Sequence, residues 1–116
     1  MQEIKLPHLA PVRFAKTVLQ KDEKVARVSL EFPQLPTLPM MVEASAQSSA
    51  AFRVNDRESA YLVSLKGIKL LKKATKKHLE VEIVDAHRLD KMRYVEFSVF
   101  EDETILATGT LVIAVQ

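Results

Sequence analysis

Glu43 and Gln47 stand four residues apart in a run of small and apolar residues, Met40 to Phe52. On a helix that spacing is one turn, so the two side chains share a face. A carboxylate set among Met40, Met41, Val42, Ala44 and Ser45 feels two opposed influences. Burial disfavours its charged form, and a helix N-terminus favours it. Such opposition leaves a carboxylate usable as a general base near neutral pH. The competing reading is a solvated glutamate at a helix start, favoured by the macrodipole. Glu31 would add a second carboxylate facing Glu43, making an acid–base pair. Its alternative is a solvent-facing strand residue between Leu30 and Phe32. His8 has a motif around it, Leu6-Pro7-His8, and would be the histidine to reach such a site. Its plainer role is a structural hydrogen bond to backbone. His78 and His87 lie at the edges of a predicted strand.

Other chemistries find little support. Cysteine is absent, which removes thiol nucleophiles, disulfides and thiolate zinc sites. No histidine pair with a carboxylate has metal-ligand spacing. Thr37, Ser45, Ser48 and Ser49 have no nearby Asp-His partner and no nucleophile elbow. With two glycines in 116 residues there is no phosphate-cradling loop. The net charge of +2 is too small to argue for nucleic acid. The charge is uneven, however. No Asp or Glu occurs from Ser59 to Leu79, where Lys66, Lys69, Lys72, Lys73, Lys76 and Lys77 fall. That segment makes a local basic face. Lysines on an edge strand also discourage aggregation, which is the alternative use for them.

The elements that must position Glu43 can be read from pattern. Pro33, Pro36 and Pro39 are spaced three apart and enforce a stiff, extended connector. A helix follows, Met40 to about Val54, with Thr37 placed to cap it and Pro39 tolerated in its first turn. Val12 to Leu19 and Lys24 to Glu31 read as strands joined by a turn at Lys21-Asp22-Glu23. Tyr61 to Lys69 reads as another. Leu79, Val81 and Ile83 alternate with Glu80 and Glu82, and Val95, Phe97 and Val99 with Glu96 and Ser98, the period of half-buried strands. Leu89-Asp90-Lys91 separates the two. Ile105 to Val115 is apolar on both faces, as in a central strand. Gly109 within it marks a bulge or a close approach. One helix cannot cover six strands unless the sheet curls around it.

The order of these motifs resembles the hotdog-fold superfamily, in its β-hydroxyacyl-carrier-protein dehydratase branch. There a Phe-Pro loop leads into a central helix carrying Glu-Ala-Xaa-Ala-Gln; here Phe32-Pro33 leads to Glu43-Ala44-Ser45-Ala46-Gln47. Leu6-Pro7-His8 is similar to the family's opening. Tyr61-Leu62-Val63-Ser64-Leu65-Lys66-Gly67-Ile68-Lys69 resembles the strand after the helix in dehydratase-like proteins of aryl-polyene pathways. The resemblance implies an α+β fold over residues 1–116 as a single domain, an antiparallel sheet of about six strands wrapped around one long central helix. It implies a dimer or dimer-based oligomer, with an acyl thioester bound between protomers. The thioester would be borne by coenzyme A or by acyl carrier protein. Coenzyme A or phosphopantetheine enters only as part of the substrate, and no separate cofactor is expected. Glu43 and Gln47 take the site positions. Lys66, Lys69, Lys72 and Lys73 would meet the phosphates or an acidic carrier helix. Met40, Met41 and Phe52 belong to the core or to an acyl tunnel. One departure bears on activity. The dehydratases carry a catalytic His just before Phe-Pro, where Glu31 stands here. A site keeping one carboxylate turns the expectation toward thioester hydrolysis, with dehydration and acyl binding alone as alternatives.

Hydrophobic residues at 47% suffice for a core, and no stretch approaches the ~20 apolar residues of a membrane span. The start of the chain lacks a long apolar run behind a basic segment. A cytoplasmic location without a membrane span or a nucleic-acid partner is the expectation.

Overall fold

The computed structural model describes residues 2–3, 13–52 and 60–115. Strand β1 (Gln2–Glu3) precedes β2 (Ala15–Lys21) and β3 (Val25–Glu31). Helix α1 (Leu38–Ser48) continues as a 3-10 turn over Ser49–Phe52. Four longer strands follow: β4 (Ala60–Leu70), β5 (His78–Leu89), β6 (Met92–Glu101) and β7 (Thr104–Val115). All belong to one sheet in the order β1-β2-β3-β5-β6-β7-β4, and every neighbouring pair is antiparallel. Six substantial strands and the two-residue β1 thus surround one helix.

Alternation decides which face is the core. Ala26, Val28 and Leu30 of β3, Leu79, Val81 and Ile83 of β5, and Val95, Phe97 and Val99 of β6 are all buried. Register aligns them in rows. Val28 stands opposite Val81, which stands opposite Val99 and then Ala107. The next row is Ala26, Ile83, Phe97 and Gly109. A Cβ on Gly109 would lie 2.3 Å from Ile68 Cδ1 and 2.8 Å from Phe97 Cε2. The glycine therefore admits two large neighbours over the strand; the close approach is to those side chains. Helix α1 packs on this face against β2, β5, β6 and β7.

The sheet curls because its strands are irregular. Extra residues interrupt the pairing of β2 with β3, of β4 with β7 and of β5 with β6. Each such bulge bends and twists its strand. The bulge between Lys66 and Lys69 contains Gly67 at φ +59, the left-handed region that glycine tolerates best. Open space surrounds Gly67, so backbone conformation is what selects glycine there. The β2–β3 turn is closed by Asp22, whose Oδ1 accepts the N–H groups of Lys24 and Val25, each at 2.9 Å. Those bonds hold its carboxyl below the usual carboxylate range.

The helix differs from expectation at both ends. It begins at Leu38, earlier than Met40, and leaves α geometry after Ser48. Ser45 and Ser48 hydroxyls donate to Met41 O and Ala44 O, and Ser49 to Ala46 O three residues back. Hydroxyls bonded back onto the ladder bend a helix, and the last one matches the tighter turn that follows. Thr37 occupies the N-cap position, but its hydroxyl makes no capping bond. Pro39 in the first turn offers no N–H, which removes one amide that a cap would take.

Candidate functional site

Helix α1 buries Met41, Val42, Ala44, Ser45, Gln47 and Ser48 against the sheet. Glu43 lies at the margin of that face, partly exposed. It sits in the second turn, and the first turn carries no acidic residue. The macrodipole fades within one turn, so it does not account for a carboxylate here.

Gln47 holds Glu43 in place. Its Nε2 donates to Glu43 Oε1 at 3.2 Å. Its Oε1 accepts the N–H groups of Phe14 at 2.8 Å and Ala15 at 3.1 Å. Two backbone donors require the amide oxygen, so they set which way the amide faces. Gln47 is 4% exposed. The carboxylate is thus oriented by a buried amide that is itself clamped to the start of β2. The serines of the helix spend their hydroxyls on helix carbonyls and offer no nucleophile.

The other predicted residues are dispersed. His8 lies outside the described residues. Glu31 is exposed between the buried Leu30 and Phe32, on the outer surface of the sheet. There it lines a groove of about 490 Å³ with Lys16, Ser29, His78 and Glu80. Glu31 and Glu43 therefore belong to opposite faces of the sheet. The lysine run is divided. Lys66 and Lys69 stand opposite Thr110 and Thr108, on the face away from Gly109 and the core. Lys66 Nζ lies 5.4 Å from the ring centre of Tyr94 on that outer face. Lys72 and Lys73 occupy the loop after β4, exposed.

That loop is unusually well tied. Leu71 N–H and Lys72 N–H donate to Leu106 O at 2.7 and 3.1 Å. Glu101 Oε1 accepts Thr75 N–H at 2.7 Å and Lys76 N–H at 2.9 Å, and its Oε2 accepts the Thr75 hydroxyl at 2.8 Å. The bonds from Thr75 come first in holding the Glu101 carboxyl below the usual carboxylate range. Lys76 Nζ reaches Asp102 Oδ2 at 2.6 Å, and that bond raises its own proton affinity. Lys77 O accepts Phe32 N–H at 2.9 Å. The loop is therefore joined to the connector that enters α1.

Sequence reasoning missed Glu101, whose partners lie 25 and 26 residues away. It also missed Asp85, which is 6% exposed and accepts from Arg88 Nε at 2.9 Å. The signal for Asp85 was present, since the alternation of Leu79, Val81 and Ile83 continues to it. Among the described residues no group of three or more His, Asp or Glu is placed to hold a metal ion. No helix among them is long and apolar enough to cross a membrane.

No protein-family model matches the chain, and no curated protein sequence does. Solved structures do match. A sigma28-regulated virulence protein of Campylobacter jejuni is similar with a TM-score of 0.77 and 15% identity, over 98% of this chain and 92% of that one. A mutant thioesterase of Pseudomonas aeruginosa aligns with a TM-score of 0.70 and 12% identity, over 87% and 80%. A dehydratase heterocomplex of Xenorhabdus doucetiae aligns with a TM-score of 0.69 and 18% identity, over 94% and 86%. The fold is a hotdog fold. At these identities the likeness speaks to architecture alone. Within the hotdog fold of this chain, the central helix is α1, and Glu43 is the carboxylate it holds at the edge of its buried face. Among the described residues strand β4 ends the sheet, paired with β7 on one side only, and Tyr61, Leu62, Val63 and Leu65 are exposed along it.

Proposed function

We propose that this protein binds acyl thioesters and hydrolyses them, with Glu43 as general base. The observation that carries the reading is the Glu43 carboxylate, partly exposed and oriented by a buried amide. A surface glutamate needs no such support; a base that must meet a reacting water does. Glu43 takes a proton from water as its oxygen adds to the thioester carbonyl carbon. The tetrahedral intermediate collapses, the C–S bond breaks, and the proton on Glu43 passes to the departing thiolate. Backbone N–H groups in the first turn of α1 polarise the carbonyl; Pro39 supplies none. The resemblance of Glu43-Ala44-Ser45-Ala46-Gln47 to the dehydratase motif supports this assignment of Glu43.

The working unit in this reading is a dimer. The open edge of β4, with its run of exposed apolar residues, would be covered by a second copy. Sedimentation giving a monomer at micromolar concentration would count against it.

Dehydration of a 3-hydroxyacyl thioester is the second reading, favoured by the same motif and by the dehydratase among the similar structures. Both reactions need Glu43, whereas a subunit that only binds acyl groups does not. A panel of acyl and 3-hydroxyacyl thioesters, with products identified, separates hydrolysis from dehydration. Glu43→Gln should lower turnover by about 10²–10⁴-fold with the fold retained. Turnover equal to the parent would remove Glu43 from the chemistry.

A further inference from the structure

We infer that Ser29, on the outer face of the sheet, is a positioning residue for Glu43; its bearing on turnover rests on the thioester reading. The backbone at the entry to β2 is irregular. In an extended strand a residue's N–H and C=O point to the same neighbour, and successive N–H groups point to opposite sides. Phe14 and Ala15 break both rules. Phe14 O accepts the Glu31 N–H of β3 at 2.9 Å, while Phe14 N–H turns to Gln47 Oε1 at 2.8 Å. Ala15 N–H goes to the same oxygen at 3.1 Å. Two consecutive donors converge on one acceptor only where the strand is broken.

The break is a bulge. Ala15 stands opposite Leu30 and Thr17 opposite Ser29, so Lys16 is the extra residue. A bulge disrupts the ladder locally. Here one side chain takes up the backbone beside it. The Ser29 hydroxyl accepts Thr17 N–H at 3.1 Å and donates to Thr17 O at 3.3 Å. Ser29 lies between the buried Val28 and Leu30, so it belongs to the face away from α1. Without the hydroxyl, the Thr17 N–H loses an acceptor in a part-buried place. Regular pairing would recover that bond at the expense of the bulge, and would turn the Phe14 and Ala15 amides away from Gln47. Gln47 would then lose the clamp that aims its Nε2 at Glu43 Oε1, 3.2 Å away. Ser29 acts through this linkage and touches no substrate.

Ser29→Thr and Ser29→Val are the deciding pair. Their side chains have nearly the same shape and both suit a strand, but only threonine keeps the hydroxyl. Three quantities are read on the full chain: hydrogen exchange at Phe14 and Ala15, the NMR signals of the Gln47 side-chain amide, and kinetics with an acyl-coenzyme A. In Ser29→Val both backbone amides should exchange about tenfold faster, the scale of one lost hydrogen bond. The Gln47 amide signals should move. The kcat should fall roughly ten- to hundredfold, as for a slightly misplaced catalytic group. KM should hold, because Ser29 lies on the other face of the sheet from Glu43. Ser29→Thr should match the parent in all three. A serine with only a structural role predicts something else: Ser29→Val unfolds at lower urea, while amide exchange, the Gln47 signals and kcat per folded molecule stay unchanged. That result overturns the inference. So does an equal loss of protection in Ser29→Thr, which would assign the effect to bulk. If Ser29→Val does not fold, Ser29→Ala carries the same expectations and the same refutation. Parent turnover in Glu43→Gln would remove the hydrolytic reading; the exchange rates and Gln47 signals would still decide whether Ser29 positions Glu43.

Discussion

Replacing Gln47 separates the two jobs of its amide. Gln47→Met has similar length and keeps the burial, but it leaves the N–H groups of Phe14 and Ala15 without their acceptor. An unsatisfied buried donor costs about 1–3 kcal/mol, so two give an upper range of about 2–6 kcal/mol. Both donors belong to the start of β2, where local opening admits water, so the expected loss is about 2–3 kcal/mol. For a chain of this size that shifts the melting point by roughly 10 °C. Gln47→Glu behaves differently. Its carboxylate still accepts both N–H groups, but it offers Glu43 no donor and sets a like charge beside it at a position only 4% exposed, where a buried charge costs far more than the few tenths of a kcal/mol of an exposed helix pair. Urea unfolding at fixed protein concentration, with hydrogen exchange read at Phe14 and Ala15, is the assay. Gln47→Met should lose stability and expose both amides. Gln47→Glu should keep both amides protected in the folded state, yet lose stability to its buried charge and lose turnover. The reasoning fails if Gln47→Met unfolds within about 0.5 kcal/mol of the parent, the scatter of an ordinary surface change, or if both amides stay protected.

Gly109→Ala should cost about 1–3 kcal/mol in the same unfolding assay, because the new methyl overlaps Ile68 Cδ1 and Phe97 Cε2. Combining it with Ile68→Ala should cost less than the two single losses added together. The Glu101 carboxyl is held low by the bonds from Thr75 and Lys76, so the folded loop releases its proton more readily than the unfolded chain does. Its contribution is therefore complete above the ordinary carboxylate range and is lost as pH falls through the depressed folded value. The amide signals of Thr75 and Lys76 should hold steady near neutrality and shift together in acid; a shift near pH 7 would contradict this.

The strands were legible because their residues alternate, and β5 and β6 stand where Leu79–Ile83 and Val95–Val99 place them. The single helix and its small residues were equally plain. Long-range polar pairing was not. Nothing local in the chain says that Gln47 reaches Phe14, or that Glu101 gathers Thr75 and Lys76, because backbone donors are anonymous in a sequence. The lysine cluster reads as one patch when counted along the chain. The structure divides it, since Lys66 and Lys69 take the outer face of β4 while Lys72 and Lys73 leave the sheet. Glu31 shows the same limit. Alternation gives its neighbours to the core and so sends it to the opposite surface from Glu43. The expected Thr37 cap is absent, and Pro39 removes one of the two amides such a cap could take.

The strand order sets a timetable for synthesis. Strand β4 leaves the ribosome well before its partner: among the described residues its one sheet neighbour is β7, which follows it by two further strands. At ordinary elongation rates the wait is on the order of several seconds. Through it, Leu62, Val63 and Leu65 have no ladder to join, while β2 and β3 can already form their hairpin. A nascent chain arrested after β6 should therefore be the species most prone to capture by chaperones, and release should coincide with the appearance of Thr104–Val115.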